Sequence, residues 1–202
     1  MAQKLFRYFY NGFTQNAMLT EEQKQVVIDV VKGDRTYDEI DWNLGFDSAD
    51  SDKLLLSLIE NAAVSRNAID AETALSLSYS AFDFNKNLLV EAVPSLIKLL
   101  GNLNHYVHED IVRLLQEAKD ARATEAVYDA ALLIPDYQMQ YDEGAALARK
   151  CTWALADIGN AEAYQKLQLL ISSTNPEIAG YAQKRIDSWE KEQARKAFHF
   201  LP

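Results

Sequence analysis

His105 and His108 stand three residues apart with Glu109 and Asp110 beside them, a grouping that could begin a metal site. Zinc and its relatives need at least a third ligand held from another element, and none stands at a telling spacing. The expected role is instead a polar opening to a helix, with Asp110 or His108 as its cap. His199 lies in the C-terminal tail and carries no chemistry of its own. Cys151 is the single cysteine, so no internal disulfide can form. Within Arg149-Lys-Cys-Thr-Trp-Ala-Leu155 it falls on a helix face expected to be buried, where a thiol is packed and inert. Among thirty acidic residues, pairs such as Asp41 with Asp47 or Asp136 with Asp142 arise easily. Paired carboxylates catalyse only where a cleft separates them suitably and raises one pKa, so a solvated face is the expected reading. The chain has no glycine-rich phosphate loop, Gly-x-Ser-x-Gly elbow, Cys-x-x-Cys pair or His-Glu-x-x-His motif. The expectation is a non-catalytic protein with no catalytic residue, metal or cofactor.

Charge narrows the partners. The formal net charge is −10. Nucleic-acid binding draws its affinity from Lys and Arg on phosphate, and anionic membranes attract the same side chains. Both partners are therefore disfavoured, and a basic protein is the expected one, its encounter hastened by electrostatic attraction. The same charge also keeps a protein in solution whatever it binds. No stretch approaches the roughly 18 apolar residues of a membrane span. The N-terminal Met1-Ala-Gln-Lys-Leu-Phe-Arg-Tyr-Phe-Tyr10 is too short and polar for a signal peptide. The cytoplasm is the expected compartment.

Seven glycines and four prolines are too few for the turns of an all-β chain and suit helices joined by short loops. Val26, Val27, Val30 and Val31 form an apolar stripe over Glu21–Lys32, opened by Thr20 with Glu22 and Gln23 and stopped at Gly33. Thr36–Trp42 is a candidate short helix. Asp50–Ala62 carries Leu54, Leu55, Leu58 and Ile59 on one side. Asp70 is placed to cap a further helix, with Ala74, Leu75, Leu77 and Ala81 inward. Pro94 would break a helix interior, so a turn or kink is expected before it.

From there the chain repeats. Ala92, Leu96, Ile97 and Leu100 align with Ala123, Val127, Tyr128 and Ala131 at an offset of 31 residues. At a further 40, Ala123, Val127 and Ala131 meet Ala163, Leu167 and Ile171, and Leu114, Leu115 and Ala118 meet Ala154, Leu155 and Ile158. The extra nine residues are an inserted loop, Ile134-Pro-Asp-Tyr-Gln-Met-Gln-Tyr-Asp-Glu143. Ala148-Arg149 maps onto Ala179-Gly180 at 31 again. A period in the low thirties marks stacked helical hairpins, each unable to bury both apolar faces alone. The turns inside the hairpins are short: Lys119-Asp-Ala-Arg122, then Gly159-Asn-Ala-Glu162, where Gly159 suits a left-handed residue and Asn160 a cap.

Arg149-Lys-Cys-Thr-Trp-Ala-Leu-Ala-Asp-Ile-Gly-Asn-Ala-Glu-Ala-Tyr-Gln-Lys-Leu167 resembles the HEAT repeat in its phycobilin-lyase-like variant, and Ala92-Val-Pro-Ser-Leu-Ile-Lys-Leu-Leu100 is similar to that family's second helix. The resemblance spans roughly Asp70 to Trp189. The family's repeat-opening Arg is matched by Arg149 alone, with His108 or Glu109 and Gly180 at the equivalent places. It implies an all-α, right-handed α-solenoid of HEAT-like hairpins: an atypical N-terminal helical cap (1–66), the repeats (67–192, with the inserted loop 134–143) and a tail (193–202). It also implies partner binding, although HEAT proteins include scaffolds, lyases and glycosylases, and fold alone does not choose among them. A glycosylase-like grip on DNA would want a basic ladder, whereas the second helices offer Lys98, Asp129, Lys166 and Gln168. A lyase-like enzyme and an assembly scaffold are also compatible with the resemblance.

The inserted loop is the candidate contact, through Asp136, Tyr137, Met139, Tyr141, Asp142 and Glu143. Loops on a rigid stack commonly bind, Tyr and Met are enriched at interface centres, and the acids suit a basic partner. The competing reading is a tolerated insertion whose tyrosines fold back onto the stack. Trp153 and Trp189 are expected in the core, and Phe6, Tyr8, Phe9, Tyr10 and Phe13 in the packing of the cap. The functional expectation is a protein-binding module, with an acidic immunity protein neutralising a basic toxin as its concrete form.

Overall fold

The computed structural model describes Gln25, Asp29, Asp34 and residues 48–139 and 144–198. Within the expected Glu21–Lys32 helix, Gln25 and Asp29 are helical, and the Gln25 amide donates to Asp29 one turn on at 2.6 Å. The N-terminal aromatic cluster, the Thr36–Trp42 segment, Phe46 and His199 lie outside the described residues. The described residues form α-helices and two short 3₁₀ turns, with no strand among them. None of these helices is long and apolar enough to cross a membrane. They fall into two compact units, Met1–Val107 and His108–Pro202.

The first unit packs α1 (Ser48–Ser65), α2 (Ala68–Phe84) and α3 (Lys86–Leu100) against one another. Leu55, Leu58, Ile59 and Ala62 recur at helical spacing on α1 and are buried. Asp70 lies inside the first turn of α2 and is not its cap; Asn67 Oδ1 accepts from the Ile69 amide at 2.9 Å instead. Ala74, Leu75 and Leu77 are inward as expected, joined by Phe82 and by Ser78, whose hydroxyl satisfies itself on the Ala74 carbonyl at 2.6 Å.

No break precedes Pro94. Helix α3 runs through it, capped by Asn85, which accepts from the Leu88 amide at 3.2 Å and donates to Asp52 on α1 at 3.1 Å. Pro94 and Val90, one turn earlier, both face solvent, so the ring intrudes only on the outer side. Seven side chains of this helix, from Leu88 to Leu100, are buried. At ~1.5–3 kcal/mol for each large one, they outweigh the ~3 kcal/mol of an interior proline.

In the second unit, α4 (His108–Ala118) leads through a 3₁₀ turn (Ala121–Ala123) into α5 (Thr124–Ala131). After a second 3₁₀ turn (Asp136–Gln138) come α6 (Ala145–Ile158), α7 (Ala161–Ile171) and α8 (Pro176–Phe198). Helix α4 packs on α6 and α6 on α8, while α5 packs on α6 and α7. A shift of 40 residues lays buried positions on buried ones: Leu114 on Ala154, Leu115 on Leu155, Ala123 on Ala163 and Val127 on Leu167. Gly159 is left-handed at φ 70°, and Asn160 accepts from the Ala163 amide at 2.7 Å. Pro176 opens α8, where its missing N–H costs nothing, and Asn175 accepts from the Glu177 amide at 2.9 Å.

The tryptophans depart from expectation. Trp153 is 41 % exposed rather than core. Helix α8 meets it with Arg185, whose guanidinium lies 3.6 Å from the indole centroid. A cation over a ring covers one face and leaves the rest to solvent. Trp189 is half-buried, edge-on to Tyr164 with centroids 4.9 Å apart.

Candidate binding surface

Of the inserted loop, residues 134–139 are described, and some of them are pinned while others are exposed. Gly144, which follows the loop and precedes α6, is left-handed at φ 80°, and a Cβ there would stand 3.1 Å from the Leu133 carbonyl. Tyr137 turns inward: its ring stacks on the buried His108 at 5.8 Å between centroids, and its hydroxyl shares a 3.2 Å hydrogen bond with His108 Nδ1. The next residue, Gln138, is buried and donates to Glu109 Oε1 at 3.0 Å. The other oxygen of that carboxylate meets Lys150 Nζ of α6 at 2.8 Å. The polar opening of α4 is therefore the seat of the loop.

Of the six residues expected to make contact, Asp136 and Met139 are exposed, Met139 by 58 %. Tyr137 folds back and positions the loop. Tyr141, Asp142 and Glu143 lie outside the described residues. Ile134 and Leu132, not singled out in the sequence, are also exposed. Leu132 occupies the α5 C-cap, and Ile134 precedes Pro135, which directs the chain into the 3₁₀ turn. The loop thus offers apolar side chains with Asp136 among them.

The groups considered for chemistry are engaged otherwise. His105 Nε2 donates to the Leu99 carbonyl at 2.8 Å, and Nδ1 accepts from the Val107 amide at 3.3 Å. Both ring nitrogens are used, which leaves neither for a metal. Burial lowers the pKa of this imidazole, with the Leu99 hydrogen bond opposing. His108 opens α4 and contacts Tyr137 instead of capping the helix. Cys151 is fully buried; desolvation, then the nearby Glu109 carboxylate, push its thiol far above the usual range. Among the described residues no three His, Cys, Asp or Glu side chains are grouped to hold a metal ion.

Two further charged arrangements mark the surface of this unit. Lys166 of α7 is ion-paired with Glu125 of α5, and its Nζ lies 4.5 Å from the Tyr128 centroid. Arg185 of α8, already over Trp153, holds Glu192 at 3.1 Å. Spacing alone does not reveal these pairs, because each joins side chains from different turns or helices. No family model, curated protein or solved structure matches the chain.

Proposed function

We propose that this chain is a non-catalytic, HEAT-like helical-repeat protein that binds a basic protein partner, with the loop after α5 at the centre of the contact. The observation that carries the reading is the exposure of Ile134, Met139 and Asp136 on a loop whose neighbouring residues, Tyr137 and Gln138, are tied down. A tethered loop loses less conformational entropy on binding than a free one. Exposed apolar side chains supply the contact, and a net charge of −10 favours encounter with a basic surface. The packing of α4 on α6 on α8 supports the repeat reading, since hairpins of this kind bury their faces on neighbours. An immunity protein is one instance of such a module.

The test is capture from lysate at low and raised salt by the wild type and by Ile134→Glu/Met139→Glu. Basic proteins should be held at low salt, released as screening increases, and lost with the variant. Capture that ignores both salt and variant contradicts the proposal.

A further inference from the structure

Two aromatic rings of the second unit each hold a cation beside a carboxylate: Tyr128 with Lys166 and Glu125, and Trp153 with Arg185 and Glu192. In both the cation comes from a later helix, α7 reaching back to α5 and α8 to α6. A third set of the same kind stands between α7 and α8, where a groove of about 700 Å³ is lined by Tyr164, Gln165, Gln168, Asp187, Trp189 and Glu190. No Lys or Arg lines it.

Its groups are available. Tyr164 and Trp189 meet at 66°, an edge-on geometry that leaves ring face uncovered by the pairing. Asp187 accepts from the neutral Gln183 amide at 2.7 Å and makes no ion pair among the described residues. Among the described residues Glu190 has no ion pair, and the Gln165 and Gln168 amides make no side-chain hydrogen bond. Among the described residues no cation fills this set as Lys166 and Arg185 fill the other two.

We infer that this groove receives a Lys or Arg side chain from a basic protein segment, held over the Tyr164–Trp189 pair and between Asp187 and Glu190. The inference rests on the basic-partner reading above. The aromatic faces attract a cation through their quadrupole, the carboxylates through charge, and the glutamines accept its remaining N–H groups. The volume lies within the ordinary range for ligand pockets.

The experiment follows the indole N–H resonances of the full chain during titration with an oligo-arginine peptide at low salt. The Trp189 resonance should shift and saturate while that of Trp153 stays. Asp187→Asn/Glu190→Gln should weaken binding about tenfold, ~1.4 kcal/mol, whereas the exposed control pair Asp129→Asn/Glu177→Gln should change it less than about twofold. All four are solvent-side acid-to-amide changes, and an unchanged Trp153 resonance reports that the fold is kept. An unmoved Trp189, or equal weakening by both pairs, overturns the site in favour of diffuse attraction to an acidic protein. Peptide seated in the groove with no basic protein captured from lysate overturns the function instead, and leaves the groove standing.

Discussion

Lys119 and Gly159, 40 residues apart, share one backbone conformation: both are left-handed, at φ 50° and 70°, and each is followed by a side-chain cap. Asp120 accepts from the Arg122 amide at 2.8 Å, and Asn160 from the Ala163 amide at 2.7 Å. A left-handed residue with a Cβ costs ~1–2 kcal/mol and glycine far less. Lys119→Gly should therefore stabilise the protein by ~0.5–1 kcal/mol, less than the full penalty because glycine also loosens the unfolded chain. Urea denaturation checks it; destabilisation would mean that the Lys119 side chain contributes something the backbone geometry does not explain.

Gly159→Ala should act the other way. The added Cβ meets the left-handed penalty and also stands 2.7 Å from Gln193 Oε1, whose amide donates to the Ala156 carbonyl at the end of α6 at 3.0 Å. Displacing Gln193 forfeits that bond, so the expected loss is ~2–3 kcal/mol. In a Gln193→Ala background the same substitution should cost about 1 kcal/mol less. Additive losses would show that Gln193 yields without penalty.

The seat of the inserted loop predicts a local effect. Tyr137→Phe removes the hydroxyl bonded to His108 and should cost ~0.5–1.5 kcal/mol. Its clearest sign is faster amide hydrogen exchange over residues 134–139, with the α7 and α8 amides unchanged. Uniformly faster exchange would make Tyr137 an ordinary core residue and not an anchor of the loop.

His105 predicts a pH dependence of stability. Its folded pKa lies below the ordinary 6.5 because burial disfavours the imidazolium. The unfolded chain then takes up the proton first as pH falls. The contribution is complete above about 6.5 and is lost as pH drops toward the folded value. Protonation at Nδ1 also ends its acceptance from the Val107 amide. Wild type should lose more stability than His105→Asn between about pH 7.5 and 5.5; parallel losses would assign the pH dependence to other groups.

Cys151 should be silent toward thiol reagents in the native protein and react only as fast as the chain opens, since its thiolate is disfavoured by burial and by Glu109. Rapid stoichiometric labelling of folded protein would contradict that environment.

Much of this fold is legible in the residues because its signals are local. The cap at Asn160, the left-handed Gly159 and the apolar stripes of α1, α4 and α7 follow from short-range chemistry, and the 40-residue register predicts which positions are buried. The misreadings occur where distant contacts decide. Pro94 looks like a break, yet buried side chains on both sides of it carry α3 through. Trp153 looks like core, yet Arg185, 32 positions further on, covers it with a cation. The contact loop is legible as an insertion, but only its packing on Glu109 and His108 separates the anchoring Tyr137 from the exposed Met139 and reveals Ile134.

Whether the loop after α5 meets a basic partner is tested most directly by site-specific photo-crosslinking in cells. The reactive group is placed at position 139 on the loop or, as a control, at the exposed position 91 on α3. A discrete adduct with a basic protein is predicted from position 139, abolished by Ile134→Glu and absent from position 91. Equal adducts from both positions, or an acidic protein at 139 that survives raised salt, would contradict the proposed contact.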